Sequence, residues 1–511
     1  MKKYIMALDQ GTTSSRCVIY DSKGNSVAFA QKEYKQIFPE SGWVEHDPMD
    51  IWNSQLQVAR DAMEKGGLKA ENIDSIGITN QRETTIVWDK TTGMPVYNAI
   101  VWQCRRTSEY CEMLKSKDLE KSWKKKTGLP IDPYFSATKL EWILTNVPEA
   151  REKAKEGRLL FGTVDSWLLW NLTGGKVHAT DVSNASRTMM YNIEELRWDE
   201  DILDTLGVPK IMLPQVMDSS CIYGTTEEGL FDGPIIIGGI AGDQQAALFG
   251  QTCFEEGMAK NTFGTGGFLL INTGSRIVRS TSGMINTIGW KIGEEIKYAI
   301  EGSAFVSGAS LQWLRDGLKI IDSAPESEGL CNSVDDTGGV YLVPAFTGLG
   351  APYWDPYARG LISGLTRGTG IAHVVRAAVE SMAYQTWDLI DAAEKDMAHF
   401  GRQASEEDIS LLPSERPLRV DGGAAINDFL LQFQADILGR EVIRPKVIET
   451  TSLGAAYLAG LATGYWKDKE EIKQVWQADR VFRPNMDISV RNVKLKGWHE
   501  AVERALSGGA L

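Results

Sequence analysis

Residues 4–14 read YIMALDQGTTS, an apolar run that leads into a loop of glycine and hydroxyl side chains. The run over residues 4–8 predicts a buried strand, and residues 9–14 predict a polar loop after it. Further strands are predicted over residues 17–20 and 26–34, so the first two strands form a hairpin. Its tip presents backbone N–H groups and hydroxyls, a geometry that suits an anion.

A similar pattern recurs in mid-chain. Residues 261–267 read NTFGTGG and lead into a predicted strand over 268–272. Two hairpins with Gly/Thr tips, half a chain apart, indicate two related domains that face one cleft.

The rest of the chain mixes predicted strands and helices. Residues 235–240 predict a strand followed by a helix, and residues 371–399 carry apolar side chains at helical spacing. The polar, proline-bearing stretch 404–417 is interpreted as a surface loop. We therefore predict an α/β protein of two domains, residues 1–252 and 253–511.

Amino-acid composition and net charge limit the partners and the location that the protein can have. The 511 residues are 43% apolar and 24% charged, as in soluble globular proteins. A net charge of -14 argues against nucleic acid or an acidic membrane surface as a partner. Six scattered cysteines fit reduced thiols, and no segment has the length of a signal peptide or membrane span. These features predict a cytoplasmic protein without membrane insertion.

Several enzyme classes lack their motifs. The sequence contains no G-x-x-x-x-G-K-[ST] and no strand followed by G-x-G-x-x-G, and its five histidines form no cluster. P-loop, dinucleotide, metal-hydrolase and Ser-His-Asp chemistry are therefore disfavoured. What remains are Gly/Thr loops, the pair Gly422-Gly423 and acids at strand ends, which are parts of a phosphoryl-transfer site.

Each part also has a simpler interpretation. A Gly/Thr loop is usually only a turn, and Asp243 before a predicted helix is typical of an N-cap. Gly422-Gly423 would also permit close packing, and Arg82-Glu83 would also fit a solvated surface pair.

Longer stretches resemble the FGGY family of carbohydrate kinases along nearly the whole chain. The matching segments are ALDQGTTSSR (7–16), GITNQRETTIVWD (77–89), IVWQCRRT (100–107), PYFSATKLEWIL (133–144), TVDSWLLWNLTGG (163–175), SNASRTMMYNI (183–193), GIAGDQQAALFGQ (239–251), NTFGTGGFLLINTG (261–274), GASLQWLRD (308–316), RVDGGAAINDFLLQFQADILG (419–439) and TTSLGAAYLAGLATGYW (450–466). The resemblance implies the two-domain actin-like, ribonuclease H-like ATPase fold, with an interdomain active-site cleft. It also implies phosphoryl transfer from MgATP to a terminal hydroxyl of glycerol.

The resemblance also implies a nucleotide site. The residues implied to contact the nucleotide phosphates are Thr12, Thr13, Ser14 and Arg16 on the first hairpin, and Thr265, Gly266 and Gly267 on the second. Those implied to line the adenine nucleotide pocket are Gly308, Gln312, Gly423 and Asn427. Asp9 and Asp243 are implied to hold Mg²⁺, which prefers carboxylate oxygens.

On the acceptor side, the implied glycerol-binding residues are Arg82, Glu83, Trp102, Tyr134, Asp243, Gln244 and Phe268. Asp243 is the implied catalytic base, and a helix N-terminus would favour its ionised form. Neighbouring side chains in a regular strand point to opposite faces. Arg82 and Glu83 can therefore reach one ligand only if the backbone there is irregular.

Two other functions stay open. One is a kinase for a pentulose, gluconate or another polyol, and the other is an actin- or chaperone-like ATPase that acts on protein. The resemblance further implies a homodimer or homotetramer.

Two regulatory devices of some family members are missing. The fructose 1,6-bisphosphate loop carries Lys and Arg in those members, whereas residues 227–233 here read EEGLFDG. Others are activated by phosphorylation of a histidine in this region, but no histidine lies between His178 and His373. We expect an enzyme that responds to neither signal.

Overall fold

The computed structural model describes residues 3–403 and 416–507. Most of the predicted surface loop over 404–417 therefore lies outside the described residues.

The strands of the described residues are β1 (Tyr4–Gln10), β2 (Ser14–Tyr20), β3 (Ser26–Glu33), β4 (Glu45–His46), β5 (Ile73–Asn80), β6 (Ile86–Asp89), β7 (Ala99–Ile100), β8 (Leu159–Gly162), β9 (Ala179–Asp181), β10 (Tyr191–Asn192), β11 (Arg197–Trp198), β12 (Gln215–Met217), β13 (Ser220–Thr225), β14 (Ile236–Gly242), β15 (Ala259–Phe263), β16 (Gly267–Asn272), β17 (Ile285–Ile292), β18 (Glu295–Ala304), β19 (Tyr341–Val343), β20 (Leu361–Ser363), β21 (Leu418–Asp421), β22 (Val442–Pro445) and β23 (Ala478–Phe482).

The α-helices are α1 (Pro48–Lys65), α2 (Ser108–Ser116), α3 (Glu120–Thr127), α4 (Ser136–Asn146), α5 (Ala150–Lys155), α6 (Val164–Leu172), α7 (Val182–Ala185), α8 (Glu200–Leu206), α9 (Asp243–Gly250), α10 (Ala309–Gln312), α11 (Glu326–Asn332), α12 (Ile371–Gln403), α13 (Asp428–Leu438), α14 (Thr450–Thr463), α15 (Lys469–Val475) and α16 (Ile488–Ala505).

Two large sheets repeat one topology. The first has the order β13-β14-β5-β1-β2-β3, and the second has the order β17-β18-β16-β15-β21-β22-β23. In each, a hairpin (β1–β2 or β15–β16) is followed across the sheet by two parallel neighbours and an antiparallel edge strand. The predicted relationship between the two halves is confirmed at the level of strand pairing.

The first strand is buried on both faces. Met6 and Leu8 pack in one apolar cluster, and Ile5 and Ala7 pack in another on the opposite face. Such double burial explains why residues 4–8 read as a continuous apolar run rather than an alternating one.

The strands and helices predicted from the sequence are confirmed. The first loop, predicted over residues 9–14, is shorter than expected. Asp9 pairs with Arg16 and Gln10 with Ser15, so both sides of the predicted loop belong to strands. Backbone pairing leaves Gly11 to Thr13 as the tip.

The helix α14, from the C-terminal half, packs on the first sheet and against α9. A Cβ on Gly454 would lie 1.8 Å from the carbonyl oxygen of Ala246, and one on Gly77 would lie 2.1 Å from that of Ala455. Glycine is required at these positions because backbone meets backbone. The predicted boundary near residue 252 stays a prediction, since this later helix is built into the first sheet.

Within the described ranges, no helix is both long and apolar enough to cross a membrane.

Candidate active site

The tip of the first hairpin exposes two amide groups. The hydroxyl of Tyr34 lies 2.6 Å from the carbonyl oxygen of Gly11 and 2.7 Å from that of Thr12, and the side-chain amide of Gln36 donates to the latter at 3.1 Å. The N–H groups of Thr12 and Thr13, on the opposite edges of these peptides, have no acceptor among the described residues. This arrangement suits phosphate oxygens.

Beside the tip lies a group of charges. Arg16 faces Asp9 across the hairpin and forms an ion pair with Glu449. Burial raises the pKa of Asp9 to about 7; Arg16 opposes this rise, and Glu449 and Asp243 add to it. Asp9 and Asp243 both lie at the carboxyl ends of strands that flank β5.

Arg82 and Glu83 follow the end of β5, at the centre of the site. Their exposed fractions are 3% and 1%, so the alternative of a solvated surface pair is wrong. Glu83 has a φ of 62°, in the left-handed region that a non-glycine residue adopts at a cost. The expected irregularity is confirmed, and the side chains come within 3.8 Å of each other, from Arg82 Nε to Glu83 Oε1.

Arg82 connects these groups to Asp243. Its Nε lies 3.1 Å from Asp243 Oδ1, while its two terminal nitrogens donate to Glu301 at 2.5 and 2.9 Å. Arg187 extends the network, donating to Glu83 at 2.6 Å and to Glu301 at 3.2 Å. Two guanidinium groups and two carboxylates thus alternate in a buried cluster, which compensates for their loss of hydration.

Asp243 is the first residue of α9 rather than its N-cap, which is Gly242. The predicted N-cap position was therefore wrong by one residue. A Cβ at position 242 would lie 2.7 Å from the Cγ and Cδ atoms of Arg82, so glycine is needed where that side chain passes. The Asp243 side chain keeps 32% of its surface exposed, and its Oδ1 accepts from the Gln244 N–H at 2.7 Å.

Two aromatic side chains lie next to the cluster. The rings of Trp102 and Tyr134 are 5.5 Å apart in an edge-to-face arrangement, and the Arg187 guanidinium lies 5.6 Å from the Tyr134 ring. The indole Nε1 of Trp102 donates to Thr12 Oγ1 at 3.0 Å. The structure therefore joins the predicted acceptor residues to the predicted phosphate hairpin.

Gln244 and Phe268 are linked by Lys260, which was not among the predicted site residues. The buried ammonium of Lys260 donates to Gln244 Oε1, to Thr262 Oγ1 at 2.8 Å and to the Phe268 carbonyl oxygen at 3.4 Å. Burial lowers its pKa to about 8, against the opposing charges of Asp421, Asp243 and Glu301.

The second hairpin tip contacts the start of α10. The Gly308 N–H donates to the Gly264 carbonyl oxygen at 2.9 Å, and the Ala309 N–H donates to that of Thr265 at 3.1 Å. Thr265 and Gln312 are exposed, while a Cβ on Gly266 would lie 2.8 Å from the Ala304 carbonyl oxygen. The structure thus brings Thr265, Gly266, Gly308 and Gln312 together.

The two glycines of the pair Gly422-Gly423 have different surroundings. Gly422 has a φ of 88°, and a Cβ there would lie 2.6 Å from the Phe263 carbonyl oxygen, so it serves close packing. A Cβ on Gly423 would meet nothing within 4 Å, and the residue is exposed, as a ligand-lining position requires. Asn427 caps α13 through the Leu430 N–H at 2.9 Å and donates to Ser327 Oγ at 3.2 Å. Its contact with a nucleotide stays a prediction.

The carboxylates of the site fit a Mg²⁺ ion that is also held by substrate phosphates and water. In the described part of the chain, no three His, Cys, Asp or Glu side chains form a metal-binding group. Mg²⁺ is commonly held by one or two carboxylates together with substrate phosphates and water. Asp9 and Asp243, beside the exposed amides of the hairpin, offer such a pair.

Arg187, Glu301 and Lys260 were missed because their chemistry depends on distant partners. A signal did exist for two of them: Glu301 interrupts the apolar run YAIEGSA, and Lys260 lies in a strand. A charge inside a buried strand requires a partner, which marks it as a site candidate.

Two models of known protein families match most of the chain. Residues 4–250 match the N-terminal domain of the FGGY family of carbohydrate kinases, and residues 259–463 match the C-terminal domain. The chain is 59% identical over 507 residues to Glycerol kinase 1 of Clostridium tetani, and 60% identical over 504 residues to Glycerol kinase 2 of Thermotoga maritima. Each comparison covers 99% of both chains.

Among solved structures, the fold is similar to that of Plasmodium falciparum glycerol kinase with ADP. The TM-score is 0.89 at 37% identity, covering 98% of each chain. The predicted two-domain α/β kinase fold is confirmed.

Proposed function

Because the chain belongs to the FGGY family of carbohydrate kinases, we propose that it catalyses the ATP-dependent phosphorylation of glycerol to sn-glycerol 3-phosphate. The observation that carries this proposal is the convergence of Arg82, Glu83 and Asp243 beside Trp102 and Tyr134. The full-length relatives named glycerol kinase support the choice of acceptor.

The acceptor site combines apolar walls with paired charges. Trp102 and Phe268 bound the carbon chain, and Arg82 and Glu83 hydrogen-bond its hydroxyls. Tyr134 adds a polar contact. The Arg187–Glu301 cluster holds these two side chains in place before the ligand arrives, so little ordering is left to occur on binding. Gln244, whose Oε1 is held by Lys260, presents its amide N–H₂ to the acceptor.

The transfer itself requires one proton to be removed. The acceptor hydroxyl oxygen forms a bond to the γ-phosphorus, the bond between that phosphorus and the β–γ bridging oxygen breaks, and ADP leaves. Asp243 accepts the hydroxyl proton, and Arg82 holds its carboxylate at 3.1 Å. Positioning supplies most of the acceleration, and the base adds roughly 10²–10⁴-fold.

The nucleotide side has two parts. The Thr12 and Thr13 amides, with Ser14 and Arg16, bind phosphate oxygens opposite Thr265 and Gly266. Gly308, Gln312, Gly423 and Asn427 line the adenine nucleotide pocket. Asp9 and Asp243 would hold Mg²⁺, which when bound neutralises phosphate charge.

Four further features belong to the proposal. The first half of the chain, residues 1–252, carries the glycerol site and the first phosphate loop. The second half, residues 253–511, carries the second loop and the adenine nucleotide pocket. The enzyme acts in the cytoplasm, in glycerol catabolism. It assembles as a homodimer or homotetramer. Light scattering on a sizing column would distinguish these assemblies from a monomer.

A substrate panel tests the proposal. ADP release is measured with glycerol, dihydroxyacetone, glyceraldehyde, xylulose, ribulose and gluconate under identical conditions. We expect the highest kcat/KM for glycerol, with the other three-carbon acceptors slower. A preference for a pentulose or gluconate would assign the site to another acceptor, and rapid ATP hydrolysis independent of any polyol would indicate an actin- or chaperone-like ATPase.

A further inference from the structure

Lys139 makes an unusual set of contacts. Its side chain is 0% exposed, and its ammonium donates to three consecutive carbonyl oxygens, those of Pro133 at 2.6 Å, Tyr134 at 2.7 Å and Phe135 at 2.9 Å. An ammonium group has three donors. All three are used on one short segment of backbone.

This placement is costly in two ways. A buried ammonium loses its hydration, and none of the ion pairs found among residues 3–403 and 416–507 includes Lys139. Lys139 also lies in the first turn of α4, where the positive end of the helix disfavours a cation. Burial lowers its pKa to about 8, although Glu83 and other groups oppose the change.

A general packing role would be filled more cheaply by an apolar side chain. The segment that Lys139 holds shows what the ammonium adds. Tyr134 lies at its centre, with its ring 5.5 Å from that of Trp102 and 5.6 Å from the Arg187 guanidinium. The Phe135 ring lies 5.3 Å from the same guanidinium. The backbone that Lys139 contacts therefore sets where the Tyr134 ring of the acceptor site lies, and where the Phe135 ring packs beside Arg187.

We propose that Lys139 is a positioning residue for the acceptor site: its ammonium fixes residues 133–135 so that the Tyr134 ring stays against Trp102 and Arg187. This inference rests on the proposed role of Tyr134 in acceptor binding. It assigns to Lys139 no contact with the substrate.

The test is a double-mutant cycle on the KM for glycerol. Lys139→Met removes the three donors at similar volume, and we expect the KM for glycerol to rise about 10-fold or more, because hydrogen bonds from a charged donor are lost. The KM for ATP should change less than about twofold. Residues that act through one another give non-additive effects, so Lys139→Met should add little in a Tyr134→Ala background.

Two other variants keep the result interpretable. Lys139→Gln retains an amide donor group, and its KM should lie between those of the wild type and Lys139→Met. If Lys139→Met does not fold, Lys139→Gln decides: a raised KM for glycerol supports the role, and an unchanged KM overturns it. Lys153→Met, in the neighbouring helix α5, replaces a lysine that pairs with Glu149 and should leave both KM values unchanged.

The outcomes separate this inference from the proposed function. The cycle is run on whichever polyol the wild-type enzyme phosphorylates best. A wild-type preference for another polyol overturns the assignment of glycerol alone. An unchanged KM in Lys139→Met, or an effect that multiplies fully with that of Tyr134→Ala, overturns the role of Lys139.

Discussion

The indole nitrogen of Trp102 donates a hydrogen bond to the hydroxyl of Thr12 at 3.0 Å. One residue belongs to the proposed glycerol pocket and the other to the proposed phosphate hairpin. The two proposed substrate sites are therefore joined by a direct hydrogen bond. We therefore expect the binding of one substrate to affect the binding of the other through this hydrogen bond.

Trp102→Phe tests this contact. Phenylalanine keeps an aromatic wall but removes the indole N–H, so we expect the KM values for both glycerol and ATP to rise, each about 3- to 10-fold. Steady-state kinetics with each substrate varied in turn measures both. Trp142→Phe is the matched control, since the Trp142 ring packs on Trp43 instead. A change confined to the KM for glycerol would show that the contact does not couple the sites.

Asp243→Asn tests the base. The amide keeps the shape of the side chain but cannot accept the hydroxyl proton, so we expect turnover to fall by about two to four orders of magnitude. Glycerol binding, measured by calorimetry, should stay largely intact because Arg82 and Glu83 remain. Near-normal turnover in this variant would remove Asp243 from the proton transfer.

Glu301→Gln tests the buried cluster. The change leaves the buried guanidinium groups of Arg82 and Arg187 with one buried carboxylate, that of Glu83, instead of two. Breaking a buried pair costs about 3–5 kcal/mol. Glu295→Gln, on the same strand, removes a carboxylate that pairs with Lys469 and Lys297 at the surface, so we expect less than about 1 kcal/mol. Denaturant unfolding of the three proteins, followed by fluorescence, makes the comparison. Equal losses in the two variants would contradict a special role for Glu301.

The same cluster predicts a pH dependence. Burial alone would raise the pKa of Glu301, but Arg187 and Arg82 outweigh it and lower the pKa to about 2 from an ordinary 4.5. A lowered pKa in the folded state means that the carboxylate stabilises the fold fully above pH 4.5, and that this contribution is lost as the pH falls toward 2. The difference in unfolding free energy between wild type and Glu301→Gln should therefore shrink across that range. A constant difference would contradict the assigned charge.

The loop at residues 227–233 predicts insensitivity to fructose 1,6-bisphosphate. Glu227 and Glu228 are exposed, and Arg60 contributes a cation that donates to the Leu230 carbonyl oxygen at 3.0 Å. With Asp232, the loop carries three exposed carboxylates, which should repel a bisphosphate. We expect millimolar fructose 1,6-bisphosphate to leave activity unchanged, and substantial inhibition would show that the loop binds it.

The elements that were predicted from sequence are those set by local pattern. Residues 4–8 and 371–399 carry the apolar spacing of a buried strand and an amphipathic helix, and both were found. Arg82-Glu83 was also informative, since two adjacent side chains that reach one ligand required an irregular backbone, and Glu83 has a left-handed φ of 62°. The packing of α14 on the first sheet could not be predicted, because glycine at 77 and 454 has meaning only once its distant neighbour is known.

The buried cluster of Arg82, Glu83, Arg187 and Glu301 could not be predicted from local sequence patterns for the same reason. Arg187 and Glu301 lie 114 positions apart in the sequence and meet at 3.2 Å. Nothing next to either residue indicates the other. Lys139 was part of a matching segment, but its role became visible only through the three carbonyl oxygens that it contacts.

The most direct measurement is ADP release from MgATP by the purified chain, with and without glycerol, with the phosphorylated product identified. We predict that release depends on glycerol and that sn-glycerol 3-phosphate accumulates in equal amount to ADP. ADP release at the same rate without glycerol, or the absence of sn-glycerol 3-phosphate, would contradict the assignment.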